Sequence, residues 1–166
     1  MILVTVGTGY QAFTRMLRAM DDVAEQIDER VLMQVGHTPL VPKHAEWFKF
    51  VPYEKMQRYF QEASAIVCHA GTGALSNARR FDKPVVAVPR DPQRGEIHDT
   101  HQLETAVRIR NTSRMIEIVD DTDYLFEAVQ RAVDKSVQGM SYGRDGELRA
   151  LIENLRVYID EIEKRL

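Results

Sequence analysis

"IVCHAGTGALSNARR", residues 66 to 80, runs from apolar residues through His69, Gly71, Thr72 and Gly73 into a stretch of mixed polar and small residues. A turn that only reverses the chain needs one glycine. Two glycines around a hydroxyl residue suggest a backbone kept open for something held there. Residues 65–68 read as a strand, and Ala74, Leu75, Ala78 and Phe81 follow at helical spacing. The turn therefore leads into a helix N-terminus, whose unpaired N–H groups and positive dipole end suit a diphosphate. A tight turn with Thr72 as helix cap accounts for the same residues. The stretch is not a Walker loop, since no Gly-Lys-Ser/Thr follows, and it lacks the full G-x-G-x-x-G spacing. Gly7-Thr8-Gly9-Tyr10, after the opening apolar run, poses the same alternative, and two such loops on one edge favour a phosphate-bearing ligand.

Outward from that turn, short β-rich runs alternate with segments of helical period. The runs are residues 2–6, 31–35, 47–51, 65–68, 84–88 and 115–119. Phe13, Met16, Leu17, Met20, Val23, Ala24 and Ile27 form one helix face. Met56, Tyr59 and Phe60 mark a shorter helix, and Leu103, Ala106, Val107 and Ile109 another. A last one covers 124–133, with Asp121 or Thr122 as its cap. Uninterrupted apolar strands with crossover helices predict a doubly wound, Rossmann-like α/β domain with a parallel sheet covered on both faces. Ligands of such a sheet sit beyond the carboxyl ends of its strands. Residues 7–9, 36–38, 52–53 and 69–73 and the loop from Arg90 all fall there. Residues 136–144 read as a linker. Leu148, Leu151, Ile152, Leu155, Ile159, Ile162 and Leu166 describe a terminal amphipathic helix over 145–166, packed on its own domain or on a partner.

Composition bounds the function. At 166 residues the chain is long enough to bury one real core. A net charge of −3 gives no global pull toward nucleic acid. No apolar run approaches the roughly 18–20 residues that span a bilayer. The opening MILVTVG is too short and too poor in basic residues for a signal peptide. Cys68 is the single cysteine, which excludes an internal disulfide and fits a reducing, cytoplasmic setting.

Taken as a series, "FVPYEKM", "ASAIVCHAGTGALSNARRFDKPVVAVPR" and "HDTHQLETA" resemble the C-terminal, donor-binding domain of inverting GT-B glycosyltransferases of family 28. The similarity covers about residues 1–133. The VTVGT opening and the short length look more like stand-alone forms: the small catalytic subunit of the dolichol-diphospho-GlcNAc GlcNAc-transferase and the bacterial PssE-type exopolysaccharide subunits. The resemblance implies a single GT-B C-terminal half over residues 1–135. It implies that His69 to Gly73 cradle the diphosphate of a UDP-sugar, with Thr72 and Gly73 as donors and His69 shaping the turn rather than acting as a base. Gln102, beside His101 in a His-Gln-x-Glu series, would hydrogen-bond the donor sugar. The backbone of 51–53 would edge the uracil, and Gly7 and Thr8 would face the opposite side of the cleft.

The family's base belongs to the N-terminal half, so the resemblance implies half an enzyme. A membrane-anchored, acceptor-binding subunit would supply the base, and the pair would pass a hexose or N-acetylhexosamine to a lipid-linked acceptor in glycan or polysaccharide assembly. No metal and no cofactor is expected. Two positions depart from the pattern. Asn77 stands where the family usually has a Glu that accepts both ribose hydroxyls, and an amide accepts with only one of its two ends. Asp82 stands in place of a usual helix-ending Gly, at a left-handed position that Asp tolerates less well.

Arg90 and Arg94 could add charge at the diphosphate or simply be solvated. Arg79 and Arg80 are accounted for by a helix C-terminus. His98-x-x-His101 offers no third metal ligand at a characteristic spacing. Asp121-Thr122-Asp123 has the form used by metal-dependent transferases but sits where a helix cap explains it. A different class of function also fits: a non-catalytic subunit that stimulates a partner transferase. A nicotinamide-binding domain fits less well, because the first turn lacks the required glycine spacing.

Overall fold

The computed structural model describes residues 1–110 and 113–142; the expected terminal helix over 145–166 lies outside them. The strands are Ile2–Thr5 (β1), Val31–Gln34 (β2), Glu46–Phe48 (β3), Ala65–His69 (β4), Val85–Val88 (β5) and Ile116–Ile118 (β6). The helices are Thr14–Gln26 (α1), Tyr53–Glu62 (α2), Thr72–Arg80 (α3), His101–Ile109 (α4) and Leu125–Val137 (α5), with short 3-10 turns at Pro92–Arg94 and Thr122–Tyr124. All strand pairs are parallel, in the order β3-β2-β1-β4-β5-β6. The chain starts in the middle, winds outward one way, then returns to wind the other.

Alternation along each buried strand divides the core between the two faces. Ile2, Val4, Val67, Val86 and Val88 turn toward α1 and α5, where they meet Met16, Leu17, Met20, Leu125 and Val129. Leu3, Ile66, Cys68, Val85 and Ala87 turn the other way, toward Phe60 of α2, Leu75 and Ala78 of α3 and Ile109 of α4. Burying each large side chain in this way stabilises the fold by about 1.5–3 kcal/mol. Cys68 lies fully buried on the second face, where burial pushes its thiol up to about 12.

Several boundaries differ from the sequence expectation. β3 stops at Phe48 rather than running to Val51, because it is an edge strand paired only with β2 and ends where β2 ends. No helix joins β2 to β3. That connection is instead anchored by the buried carboxylate of Asp21, which accepts from the N–H groups of Lys43 and His44 at 2.8–3.0 Å. Asp121 does cap, accepting from Asp123 N–H, but it caps the 3-10 turn that precedes α5.

Of the expected linker over 136–144, residues 136–142 are among those described. α5 continues to Val137 and ends in a left-handed Gly139, with Met140 N–H returned to Lys135 O. Tyr142 is then buried, its N–H donating to the Asp82 carboxylate and its hydroxyl to Lys83 O. Asp82 itself has φ 55° and occupies the left-handed C′ position of α3. Asp82 N–H reaches Arg79 O, and Lys83 N–H reaches Ala78 O. A glycine there would remove the strain of the left-handed backbone, but it would also remove the carboxylate that accepts from Tyr142 N–H.

Candidate functional site

The winding reverses between β1 and β4, so the carboxyl ends of those two strands frame a crevice, the usual ligand position in this architecture. A cleft of about 360 Å³ lies there. Its walls are Thr5, Gly7 and Thr8 from the end of β1, Gln34 from β2, Met56 and Phe60 from α2, and His69 to Asn77 from β4 and α3. A hollow of about 380 Å³ beneath Ile2 and Ile27 lies at the other end of β1. Asp28, Glu29 and Asp134 line it, so it repels an anion. A third, of about 560 Å³, lies on the rim beside Gly36, Trp47 and Phe50.

What distinguishes the cleft is the start of α3. Its N-cap is Gly71, with extended backbone (φ −84°, ψ 137°), and no side chain caps it. Thr72 is therefore the first helical residue and not the cap. The first helical bond runs from Leu75 N–H to Gly71 O at 3.2 Å. The N–H groups of Thr72, Gly73 and Ala74 have no acceptor within the helix, and they carry its positive end into the cleft.

The two glycines of this turn have separate causes. A Cβ on Gly71 would stand 2.2 Å from Nε2 of His69, so that glycine is required by its neighbour's ring. A Cβ on Gly73 would meet nothing within 4 Å, so that position is open to a ligand. Gly7 is constrained twice, by φ +74° and by His69 Cε1 at 2.7 Å from a Cβ. The imidazole is thus held between the ends of β1 and β4. Burial, helped by the Arg90 charge and opposed by the Thr5 main chain, lowers its pKa to about 4. Its Nδ1 is buried without a hydrogen bond of normal geometry. At neutral pH His69 is an uncharged wall of the cleft.

Four of the residues singled out in sequence do not line the cleft. Arg90 is 3% exposed; its guanidinium donates to Ala12 O, Glu96 O and Val6 O at 2.9–3.4 Å and stacks on the Phe13 ring. It ties the ends of β1 and β5 together from behind His69, and burial lowers its pKa, partly offset by Glu96. Gln102 uses its carbonyl to accept Arg90 N–H at 3.1 Å. His101 opens α4, its N–H held by the Asp99 carboxylate. Arg94 is exposed and pairs with Asp91. Nor do residues 51–53 reach the walls; α2 presents Met56 and Phe60 instead.

Asn77 does line the cleft, with its amide already engaged. Its NH2 end donates to Gly73 O at 3.0 Å, and its oxygen accepts from Gln57 Nε2 at 3.0 Å. The sequence reading passed over Thr5, Gln34, Met56 and Phe60. Gln34 carries a signal that could have found it, a long polar side chain closing the otherwise apolar strand VLMQ. Among the described residues no group of three or more His, Cys, Asp or Glu is arranged to hold a metal ion, and no helix is long and apolar enough to cross a membrane.

Strand order, helices on both faces and an open helix N-terminus at the winding reversal define a Rossmann-like domain of the kind that forms the C-terminal half of GT-B glycosyltransferases. The chain belongs to the glycosyltransferase family 28 C-terminal domain, which matches residues 1–144. Solved structures share the fold. The glycotransferase of kitacinnamycin superposes with a TM-score of 0.58 at 20% identity, over 99% of this chain and 43% of its own. The spinosyn forosaminyltransferase SpnP gives 0.61 at 15%, over 98% and 42%. MurG of Acinetobacter baumannii gives 0.56 at 15%, over 93% and 49%. The chain therefore spans less than half the length of these enzymes. A comparison with curated protein sequences gave no match.

Proposed function

We propose that this chain binds a UDP-sugar in the cleft between β1 and β4 and acts as the donor half of a two-component inverting glycosyltransferase. The sugar is a hexose or N-acetylhexosamine, and the acceptor is lipid-linked and presented by a separate membrane-anchored subunit. The observation that carries this reading is the uncapped start of α3, three N–H donors opening into a cleft at the winding reversal. In an inverting transfer the acceptor oxygen attacks the anomeric carbon from the face opposite the diphosphate. The C–O bond to the diphosphate breaks, and the diphosphate leaves with the bonding electrons. Amides fixed at a helix end stabilise that developing charge without having to reorganise. A solved relative, VinC, was crystallised with DTDP, which supports a nucleoside diphosphate as ligand of this fold.

The acceptor's proton needs a base. Among the residues lining the cleft only His69 is titratable, and its ring is wedged between Gly7 and Gly71. This supports a base outside this cleft, on the partner. In this reading Gln102, whose carbonyl already accepts from Arg90 N–H, offers its NH2 end to the sugar, and Asn77, whose oxygen already accepts from Gln57, keeps one lone pair for a ribose hydroxyl.

The test is thermal unfolding with UDP and UDP-sugars. A ligand at a hundred times its Kd raises Tm by roughly 5–10 °C for a chain of this size. The isolated chain should show that shift and no sugar transfer, with transfer restored by the co-expressed membrane subunit. No shift with UDP or any UDP-hexose would favour the non-catalytic, stimulatory role.

A further inference from the structure

At the floor of the cleft lie two polar side chains, Thr5 and Gln34, each 3% exposed. They are the last residues of β1 and β2 and stand opposite each other in register. Gly7 N–H donates to Thr5 Oγ1 at 3.2 Å. An N–H can only donate, so the hydroxyl oxygen is the acceptor there and its proton is free to go elsewhere. It goes to Gln34 Oε1. In this arrangement the glutamine's oxygen faces Thr5 and its NH2 is turned away from it. Among the described residues that NH2 makes no hydrogen bond. A donor that lines the wall of a cleft and has no protein acceptor there is placed for an acceptor that arrives with a ligand.

We infer that Gln34 is a binding residue for the nucleoside diphosphate, its NH2 donating to a ligand oxygen, and that Thr5 is a positioning residue that sets the amide's orientation. The inference rests on the nucleotide reading of the cleft and adds a donor on β2 to those of α3. The ligand oxygen belongs either to the diphosphate or to a ribose hydroxyl, and the two respond differently to a carboxylate.

The experiment is calorimetric titration of UDP into the full chain and its Gln34→Met, Gln34→Glu, Thr5→Val and Thr5→Ser variants at pH 8, with Tm recorded for each. Gln34→Met keeps the length and removes the donor, and is expected to weaken UDP about tenfold. Gln34→Glu still accepts from Thr5. It weakens UDP more than Gln34→Met does if the ligand oxygen is on phosphate, through like-charge repulsion, and less if it is a ribose hydroxyl, which can donate to the carboxylate. Thr5→Val releases the amide and weakens UDP about threefold, while Thr5→Ser restores it. Variants that lower Tm yet bind UDP as wild type does would overturn the inference while leaving the nucleotide reading intact. A wild-type chain that binds no UDP would overturn both.

Discussion

Gly7-Thr8-Gly9 and Gly71-Thr72-Gly73 are the same tripeptide, placed after two strands that lie side by side in the sheet. The chain uses them differently. After β4 the helix begins at once, with Gly71 as cap and Thr72 as first residue, so its N–H groups open into the cleft. After β1 the helix waits until Thr14, and the N–H of its cap residue, Phe13, is already taken by Thr38 Oγ1 at 2.9 Å. The β1 loop supplies a wall, and the β4 turn supplies donors. The lesson is that a glycine-rich turn becomes an anion site through the distance to the next helix start, since only the first turn of a helix carries the orphan N–H groups and the dipole end.

The sharpest way to break this contrast is at Gly71. Alanine there must displace the His69 ring, which Gly7 confines on its other side, and should cost about 3 kcal/mol by denaturant midpoint. Alanine at Gly73, two residues on, meets no neighbouring atom and should leave stability within about 0.5 kcal/mol while weakening UDP, whose approach the methyl obstructs. Equal losses of stability at the two positions would remove the distinction between a packing glycine and a ligand glycine.

His69 links the two loops and should make stability depend on pH. Its folded pKa of about 4 lies below the ordinary 6.5, so between these values the unfolded chain binds a proton that the folded chain does not. Stability should be fully present above about pH 6.5 and fall as pH drops toward 4, by at most about 3 kcal/mol. Urea unfolding at pH 7.5 and 5 should show this loss in wild type and much less of it in His69→Asn. An unchanged slope in the variant would mean the imidazole is not held neutral.

Smaller effects separate the glycines of the β1 loop. Gly7→Ala must accept a left-handed φ and the His69 ring, at about 2 kcal/mol. Gly9→Ala meets only the flexible end of Gln11, at 3.2 Å, and should cost a few tenths. Thermal melts of the two variants check the pair.

Much of this was legible in sequence, and the remainder has physical causes. Unbroken apolar runs such as VVAV carry the parallel sheet and its two covered faces, because a strand buried on both sides has no polar positions. The start of α3 falls two residues before its apolar period begins, since Thr72 and Gly73 face the cleft and not the core. Arg90 reads as a loop cation beside a phosphate site. Only the strand order brings the carbonyls of Val6, Ala12 and Glu96 together to bury it. Gly71 and Gly73 look equivalent in a string, because nothing in one dimension says that the ring of His69 turns back onto the first of them. Tyr142 reads as linker because its partners, Asp82 and Lys83, lie some 60 residues away in sequence.

The central claim is that the first-turn N–H groups of α3 hold a pyrophosphate. The most direct measurement is an amide NMR titration of the labelled chain with UDP in metal-free buffer. The account predicts the largest shifts at Thr72, Gly73 and Ala74, with smaller ones at Gly7 and Thr8. UDP that leaves those three amides unmoved while shifting residues around Gly36 and Phe50, or none at all, would contradict it.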